Sequence, residues 1–450
     1  RRSMATSEAQ PARKPLIERF LAPVADVRKE EVPSALLMTL IMFLILAAYY
    51  MLKTAREVFI LSEGGAEVKS YSSAGQALLL LILVPAYGAF ASHVSRIRLI
   101  QWVTSFFISH LALFLVGIAA GLDIGIVYFL WLGIFNLMVI AQFWAFASDL
   151  YTPEQGKRLF PLIGVGSSIG AWLGALEAGW ILERIGPPRL LTVAAAMLIL
   201  CVILTRVVNH VTPRTQVGGE VKGVDKPLGR EDGFRMIFSD RYLLLIALLT
   251  VLLNVVNTSG EYLFSRYVVE EANSAHGAGP ESAAARQNFI GSVYSRLFST
   301  VNLVGLLLQL FVVSRVFKFL GVGKSLYVHP IVALSGYLLM LRAPSVHLMT
   351  WLKVADNSID YSLGNTTKQA LWLPTSREAK YKAKQAVDSF FVRAGDVVQA
   401  GIVFAGERLA LTIPAFASIN IVLAMGWLGT VAALNALLMT KAKQTGASKL

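Results

Sequence analysis

Charged and amide side chains recur between Asp356 and Gly401, a stretch predicted to hold the end of one membrane helix, a basic loop and the start of the next. Asp356, Asp360 and Lys368 are spaced so that a helix would place them on one face. A second polar stripe, which ends at Asn365, would run beside them. Charges in an apolar environment are costly unless they face a watery cavity or each other, so this pattern is typical of a solute-binding site. An internal structural pair between Asp360 and Lys368 is the alternative.

A second set of candidate residues follows the first apolar run. Lys53 and Arg56 would share a helix face and could offer paired cations to an anionic, small-molecule substrate. Tyr49 and Tyr50 stand directly before them. The alternative is that both cations reach lipid headgroups from the end of a membrane span.

The corresponding part of the second half of the chain carries Asn257 and Glu261, which we expect to line the same cavity. The histidines are scattered without metal-ligand spacing, and no residues resemble a nucleophile with its base. The sequence therefore predicts no cofactor, no metal and no enzymatic activity.

The composition identifies the protein class. Hydrophobic residues make up 55% of the chain, charged residues 15%, and the mean hydropathy is +0.60. Soluble domains are about 45–50% apolar and about 25% charged, so an integral protein of the lipid bilayer is expected. The net charge of +13 is concentrated in alternate loops, as the positive-inside rule predicts, and this argues against nucleic acid as a partner.

Apolar runs of about 20 residues, enough to cross a bilayer, predict an all-α integral membrane protein with twelve transmembrane helices. The spans are expected near 33–60, 72–93, 99–121, 124–150, 159–184, 189–210, 240–270, 287–318, 324–343, 347–373, 382–405 and 414–440.

These spans divide into two six-helix bundles, 33–210 and 235–440, joined by a polar, glycine-rich cytoplasmic linker at 211–234. Two such bundles are typical of the major-facilitator architecture, in which substrate binds at the midplane between the halves. Residues 1–32 and 441–450 are expected to be cytoplasmic segments. The cation-rich loops predict that both termini lie in the cytoplasm.

Three glycines, Gly166, Gly170 and Gly174, recur every four residues in the fifth predicted span. This spacing predicts close packing against another helix. A dinucleotide-binding loop would need a preceding strand, which the pattern does not contain.

Several segments together resemble the ADP,ATP carrier family of nucleotide antiporters found in intracellular bacteria and plastids. They are LKTAREVFI with GGAEV (Leu52–Ile60, Gly64–Val68), Phe143–Ala171, and the pair Ser362–Thr375 and Lys382–Asp396. The resemblance spans nearly the whole chain.

The resemblance implies exchange of ATP for ADP across the inner membrane by alternating access. It assigns phosphate-binding roles to Arg56, Lys368 and Lys384, since charge-assisted bonds to phosphate oxygens are strong. Arg393, in the last matching segment, completes the candidate substrate-binding residues. A monomer is expected.

This chain departs from the family pattern at acidic positions. Leu132 and Asn257 stand where the family has glutamates, and Asn365 stands where it has an aspartate. These departures leave other functions open: transport of another anionic or lipid-like solute, proton-independent exchange, or a non-transporting membrane scaffold or sensor.

Overall fold

The computed structural model describes residues 27–91, 96–211, 233–342, 345–376 and 378–444. Every regular element in these ranges is helical, which confirms the predicted all-α class. Almost all of the predicted linker, and most of the two predicted terminal segments, lie outside the described residues.

The first part of the chain forms six long helices. They are α1 (Val32–Glu63), α2 (Gly65–Ala91), α3 (Arg96–Ala119), α4 (Gly125–Leu150), α5 (Pro153–Ile185) and α6 (Pro187–Val211). The N-terminus of α5 has a strong local signal, because Thr152 forms a capping box with Gln155 and Pro153 occupies the first turn.

The second part of the chain is more interrupted. It contains α7 (Gly233–Ser239), α8 (Arg241–His276), α9 (Ala283–Phe311), α10 (Val313–Ser325), α11 (Val328–Arg342), α12 (Val346–Ile359), α13 (Asn365–Ala370), α14 (Val392–Arg408) and α15 (Ile413–Gln444). Wider π-helical turns join α12 to α13 at Asp360–Gly364 and precede α14 at Ala379–Ala383 and Val387–Phe391. Such turns are frequent at functional sites.

Nine helices in the described ranges are long and apolar enough to cross a membrane, or ten if α10 and α11, which meet at a 77° bend, count as one span. Neither α2 nor the interrupted segment from α12 to α13 is among them. The chain is therefore a multi-pass membrane protein. The predicted count of twelve spans remains a proposal.

The second predicted span begins too late. Sequence patterning places its start near 72, but α2 begins at Gly65, directly after α1. Gly65 has a φ of 72°, a left-handed conformation that glycine adopts without strain, so the chain reverses without a loop. As a consequence Lys69 lies inside a helix.

The glycine stripe of α5 packs against α1. A Cβ at Gly166 would lie 2.6 Å from the Thr39 side chain, and one at Gly174 would lie 2.5 Å from Ala47. Side chains at these positions would separate the two backbones, so the predicted packing role is confirmed.

An ion pair ties the start of α1 to the start of α5. Arg158 donates to both carboxylate oxygens of Glu31, at 2.9 and 2.7 Å, and Gln155 donates to the same group. Burial raises the pKa of Glu31, but the hydrogen bonds from Arg158, the Arg28 backbone and Gln155 outweigh it, so the pKa is lowered.

We refer to α1–α6 and to α8–α15 as the two helix groups; they contact each other through α1, α2 and α5 on one side and α8, α9 and α14 on the other. Ser295 of α9 donates to the Ala175 carbonyl of α5 at 2.7 Å, and Gln399 of α14 donates to Ser70 of α2 at 3.2 Å. These contacts lie toward the end of the bundle where α1 ends. Among the described residues, no comparable contact joins α4 to α12 or α5 to α14 near the opposite end.

Candidate functional site

A cavity of about 350 Å³ lies between the two helix groups. It is lined mainly by α1, α2, α8 and α14, with single contributions from Phe129 of α4, Phe298 of α9, Asn357 of α12 and Tyr361 of the π turn. Its charged lining residues are the cations Lys53, Arg56, Lys69 and Arg393 and the carboxylates Glu57, Glu261 and Asp396.

Helix α1 supplies the first predicted cations. Tyr49, Lys53 and Arg56 all face the cavity, so they do not reach toward headgroups as the alternative supposed. The Lys53 ammonium lies 4.3 Å from the ring centroid of Phe298. Tyr50, on the neighbouring face, is buried against Phe298 and does not line the cavity.

The pairing of these two cations differs. The Arg56 guanidinium bonds to the adjacent Glu57 carboxylate and stacks 4.5 Å from the centroid of the Phe129 ring. Lys53 has no carboxylate within 4.0 Å among the described residues. The Lys53 charge is therefore available to an anion without first breaking an ion pair.

Lys69 of α2 joins the two helix groups across the cavity. Its ammonium lies 2.7 Å from Glu57 in its own group and 3.5 Å from Glu261 in the other group. It also donates to Ser265 at 2.9 Å and to Tyr294 at 3.2 Å. Lys69 is only 8% exposed, so these bonds act in a poorly solvated environment.

Glu261 is shared with a second buried lysine. Lys353 of α12 lies 3.3 Å from the other Glu261 carboxylate oxygen and donates to the Asn257 side-chain oxygen at 3.0 Å. The predicted pair Asn257 and Glu261 therefore faces the cavity one helical turn apart, and Glu261 bridges cations from both helix groups.

Arg393 occupies the far edge of the cavity. Its guanidinium lies 3.5 Å from Asp396, whose other oxygen accepts a hydrogen bond from Asn254 at 2.8 Å. Asn254 also donates to the Val392 carbonyl at 2.7 Å, which fixes α14 against α8.

Besides Tyr50, four predicted site residues lie away from the cavity lining. Asp360 and Lys368 pair with each other at 3.3 Å, as the structural alternative proposed. Asn365 is exposed. Lys384 pairs with Asp388 on the partly exposed start of the span that leads into α14.

Sequence reasoning missed four of the central charged groups: Glu57, Lys69, Lys353 and Asp396. Lys69 was placed in a loop by the late start of the second span. Lys353 and Asp396 are charges within predicted membrane spans, a signal that indicates a functional site in a membrane protein and could have identified them.

The site is suited to binding an anion with several charges. Its lining carries four cations and three carboxylates, and three of the four cations are already engaged by those carboxylates. An incoming oxyanion can replace the carboxylates as the acceptor, because charge-assisted bonds to its oxygens are of the same kind. No group of three potential metal ligands occurs among the described residues.

Comparison with known sequences gives distant but extensive matches. A family model described as TLC ATP/ADP transporter matches residues 10–119. ADP,ATP carrier protein 1 of Rickettsia bellii is 21% identical over 88% of this chain and 92% of its own length. ADP,ATP carrier protein 1 of Chlamydia pneumoniae is 22% identical over 68% of this chain, and the match spans 65% of that protein.

Solved structures with the same fold are membrane transporters. A bacterial homologue of the iron transporter ferroportin in an inward-facing state matches with a TM-score of 0.60 and 13% identity, over 91% of this chain and 99% of that one. The nucleoside transporter NupG gives a TM-score of 0.60 at 13% identity, over 90% and 99% of the two chains. The chain therefore shares the fold of these transporters.

Proposed function

The chain resembles the ADP,ATP carrier family, and on that premise we propose that it exchanges nucleotides of the ATP/ADP type across a membrane. The observation that carries the proposal is the central cavity, where Lys53, Arg56, Lys69 and Arg393 converge from both helix groups. A nucleotide polyphosphate brings several negative charges and matches this concentration of cations.

The proposed binding residues are those at or beside the cavity. Lys53 makes the first contact with phosphate because no carboxylate occupies it, and Arg56 follows by releasing Glu57. Tyr49, Asn257 and Glu261 lie beside these cations. Tyr50 supports the Phe298 ring that Lys53 faces, and Arg393 binds at the far edge.

We place the other predicted residues in supporting roles in this conformation. Asp360 and Lys368 stabilise the turn between α12 and α13, and Asn365 lies beyond them. Lys384 stays with Asp388 unless the cytoplasmic end of α14 moves toward the cavity, so its contribution is a separate test.

Exchange proceeds by alternating access between two six-helix halves, residues 33–210 and 235–440. The contacts near the end of α1 close one side of the cavity, and the opposite side lacks comparable contacts among the described helices. With both termini in the cytoplasm, the closed side is extracytoplasmic and the conformation is inward-facing. The proposal places a monomer in a bacterial inner membrane with cytoplasmic segments at 1–32, 211–234 and 441–450.

The test is uptake of radiolabelled ATP into proteoliposomes that contain ADP. We expect uptake to require internal ADP and Arg56→Ala to reduce it by about 100-fold, since a charge-assisted bond contributes about 1.5–3 kcal/mol. Lys384→Ala is the matched control that removes a lysine outside the cavity, and it should change uptake by less than about threefold.

The outcomes are distinct. ATP uptake that is the same with and without internal ADP would contradict exchange. Absence of ATP uptake by the folded natural protein would reject nucleotides as substrates. A large loss of ATP uptake in Lys384→Ala would show that Lys384 enters the binding site in another conformation.

A transporter of a different anion is the second candidate. It is favoured by Leu132, which is fully buried and stands where the resemblance places a glutamate. Thermal stabilisation of the purified protein by phosphate esters that lack a nucleobase, with none by ATP, would support it over nucleotide exchange. A scaffold or sensor would instead show no flux of any anion.

A further inference from the structure

A buried histidine outside the cavity lies between two carboxylates of the neighbouring span. The His329 Nε2 atom of α11 is 3.0 Å from an oxygen of Asp356, and Nδ1 is 3.8 Å from an oxygen of Asp360. His329 is 5% exposed, and its Nδ1 atom has no hydrogen-bond partner. A buried ring nitrogen aimed at a carboxylate without a bond to it is an unsatisfied site that one proton would complete.

Each carboxylate also has a lysine. Asp356 lies 3.3 Å from Lys353, and Asp360 lies 3.3 Å from Lys368. Two lysines therefore balance two aspartates around a ring that is neutral when it holds one proton. Because Lys353 also contacts Glu261, the histidine is linked to the wall of the central cavity.

The local backbone leaves room for the missing bond. A Cβ on Gly364 would lie 3.3 Å from both His329 Nδ1 and the Asp360 carboxylate oxygen. Gly364 ends the π turn that Asp360 begins, so a glycine and an irregular turn meet at this gap. Helix α15 covers the ring with Trp427, 4.9 Å between centroids, and Trp427 adds no ionisable group.

We propose that His329, Asp356 and Asp360 form a proton-binding site whose occupancy is coupled to the anion in the central cavity. The proton adds to the free ring nitrogen, and the imidazolium then donates from Nε2 to Asp356 and from Nδ1 to Asp360. No other bond forms or breaks, and the proton returns to water when the site empties.

Coupling follows from the shared lysine. When Asp356 accepts a hydrogen bond from an imidazolium, its ion pair with Lys353 is weakened, whereas the ion pair between Lys353 and Glu261 beside the cavity remains. Positive charge there favours a bound anion, and by reciprocity a bound anion favours the proton. This link rests on the proposed transport function, whereas the proton site itself does not.

The first experiment observes the ring directly in the full-length protein. Histidine-selective ¹⁵N labelling in lipid nanodiscs, with His329→Gln to assign the signal, reports the protonation of both ring nitrogens. The experiment scans the range from about pH 8 to about pH 5, and we expect the signals to move to imidazolium values as the pH is lowered. Asp360→Asn should lower the imidazolium fraction at a fixed pH within that range, and exposed His347 provides the reference ring.

The second experiment counts protons. Calorimetric titration with ATP at one pH, in two buffers with different ionisation enthalpies, gives the protons taken up on binding. We expect the natural protein to take up as much as about one proton more than His329→Gln, since the nucleotide's own protonation is common to both. Asp360→Asn serves as the second variant if His329→Gln does not fold.

A His329 ring that stays neutral across the range overturns the proton site. Equal proton uptake by the natural protein and by folded variants overturns the coupling. Failure of the natural protein to bind ATP rejects the proposed substrate, and the ring titration then decides the proton site independently.

Discussion

Replacing Lys69 with methionine should turn strict exchange into a leak. In the closed end of the bundle, Lys69 bonds to Ser265, Tyr294 and Glu261 of the opposite helix group. An empty transporter must break all of these contacts to open that end. A bound anion would draw the ammonium into the cavity and remove the restraint.

The magnitude follows from the pairing. Breaking a buried ion pair costs about 3–5 kcal/mol. Without Lys69, Glu57 is still paired with Arg56 and Glu261 is still paired with Lys353, so the lower figure of about 3 kcal/mol applies. It corresponds to a rise of about 100-fold in the population of the open empty form. Tyr294→Phe keeps the lysine charge. It removes the hydrogen bond from Lys69 that crosses between the helix groups, about 1.5 kcal/mol or about tenfold, together with a bond to Ser265 inside its own group that opening does not need to break.

The assay is efflux of radiolabelled ATP from proteoliposomes into buffer with or without external ADP. Net efflux without ADP should rise by about 100-fold in Lys69→Met and about tenfold in Tyr294→Phe. Tyr294 does not line the cavity, so Tyr294→Phe should retain exchange, and Lys384→Met is the control for loss of a lysine charge elsewhere. Unchanged net efflux in both Lys69→Met and Tyr294→Phe, with folded protein, would refute this reasoning.

Three further outcomes are expected from purified protein. Gly170→Ala should lower the unfolding temperature by several degrees, because its Cβ would meet the backbone of α1 at a cost of about 1–3 kcal/mol, whereas Gly164→Ala, with nothing within 4 Å, should not. Glu31→Gln should lower the free energy of unfolding by about 1–2 kcal/mol at neutral pH. Since the pKa of Glu31 is lowered in the folded protein, the stability difference between the natural protein and this variant is complete above the ordinary value of 4.5 and disappears as the pH falls through the folded pKa. Thermal unfolding at several pH values measures this difference. Lys353→Met should destabilise by about 3 kcal/mol in denaturant unfolding because Glu261 loses a buried cation, and a double variant with Glu261→Gln should recover part of that loss.

The sequence predicted the membrane class, the close packing of the glycine stripe and the cations of α1. These features depend on local quantities: apolar run length, residue spacing along one helix, and small residues at a fixed interval. Lys53 and Arg56 could be identified because both stand on one helix face. Glu261 could be identified because it stands beside other polar groups.

The sequence alone determined the distribution of charge along the chain: a few charges on otherwise apolar helices, with excess cations in alternate loops. Only the tertiary structure decided how those charges combine. Lys69 and Glu261 are nearly 200 positions apart, and their contact depends on how α2 lies against α8. His329 gained its role from two aspartates on a different helix, and no spacing along α11 could predict that pairing. Interactions within one helix follow from its periodicity, whereas those between helices depend on packing geometry that a single sequence does not encode in any local pattern.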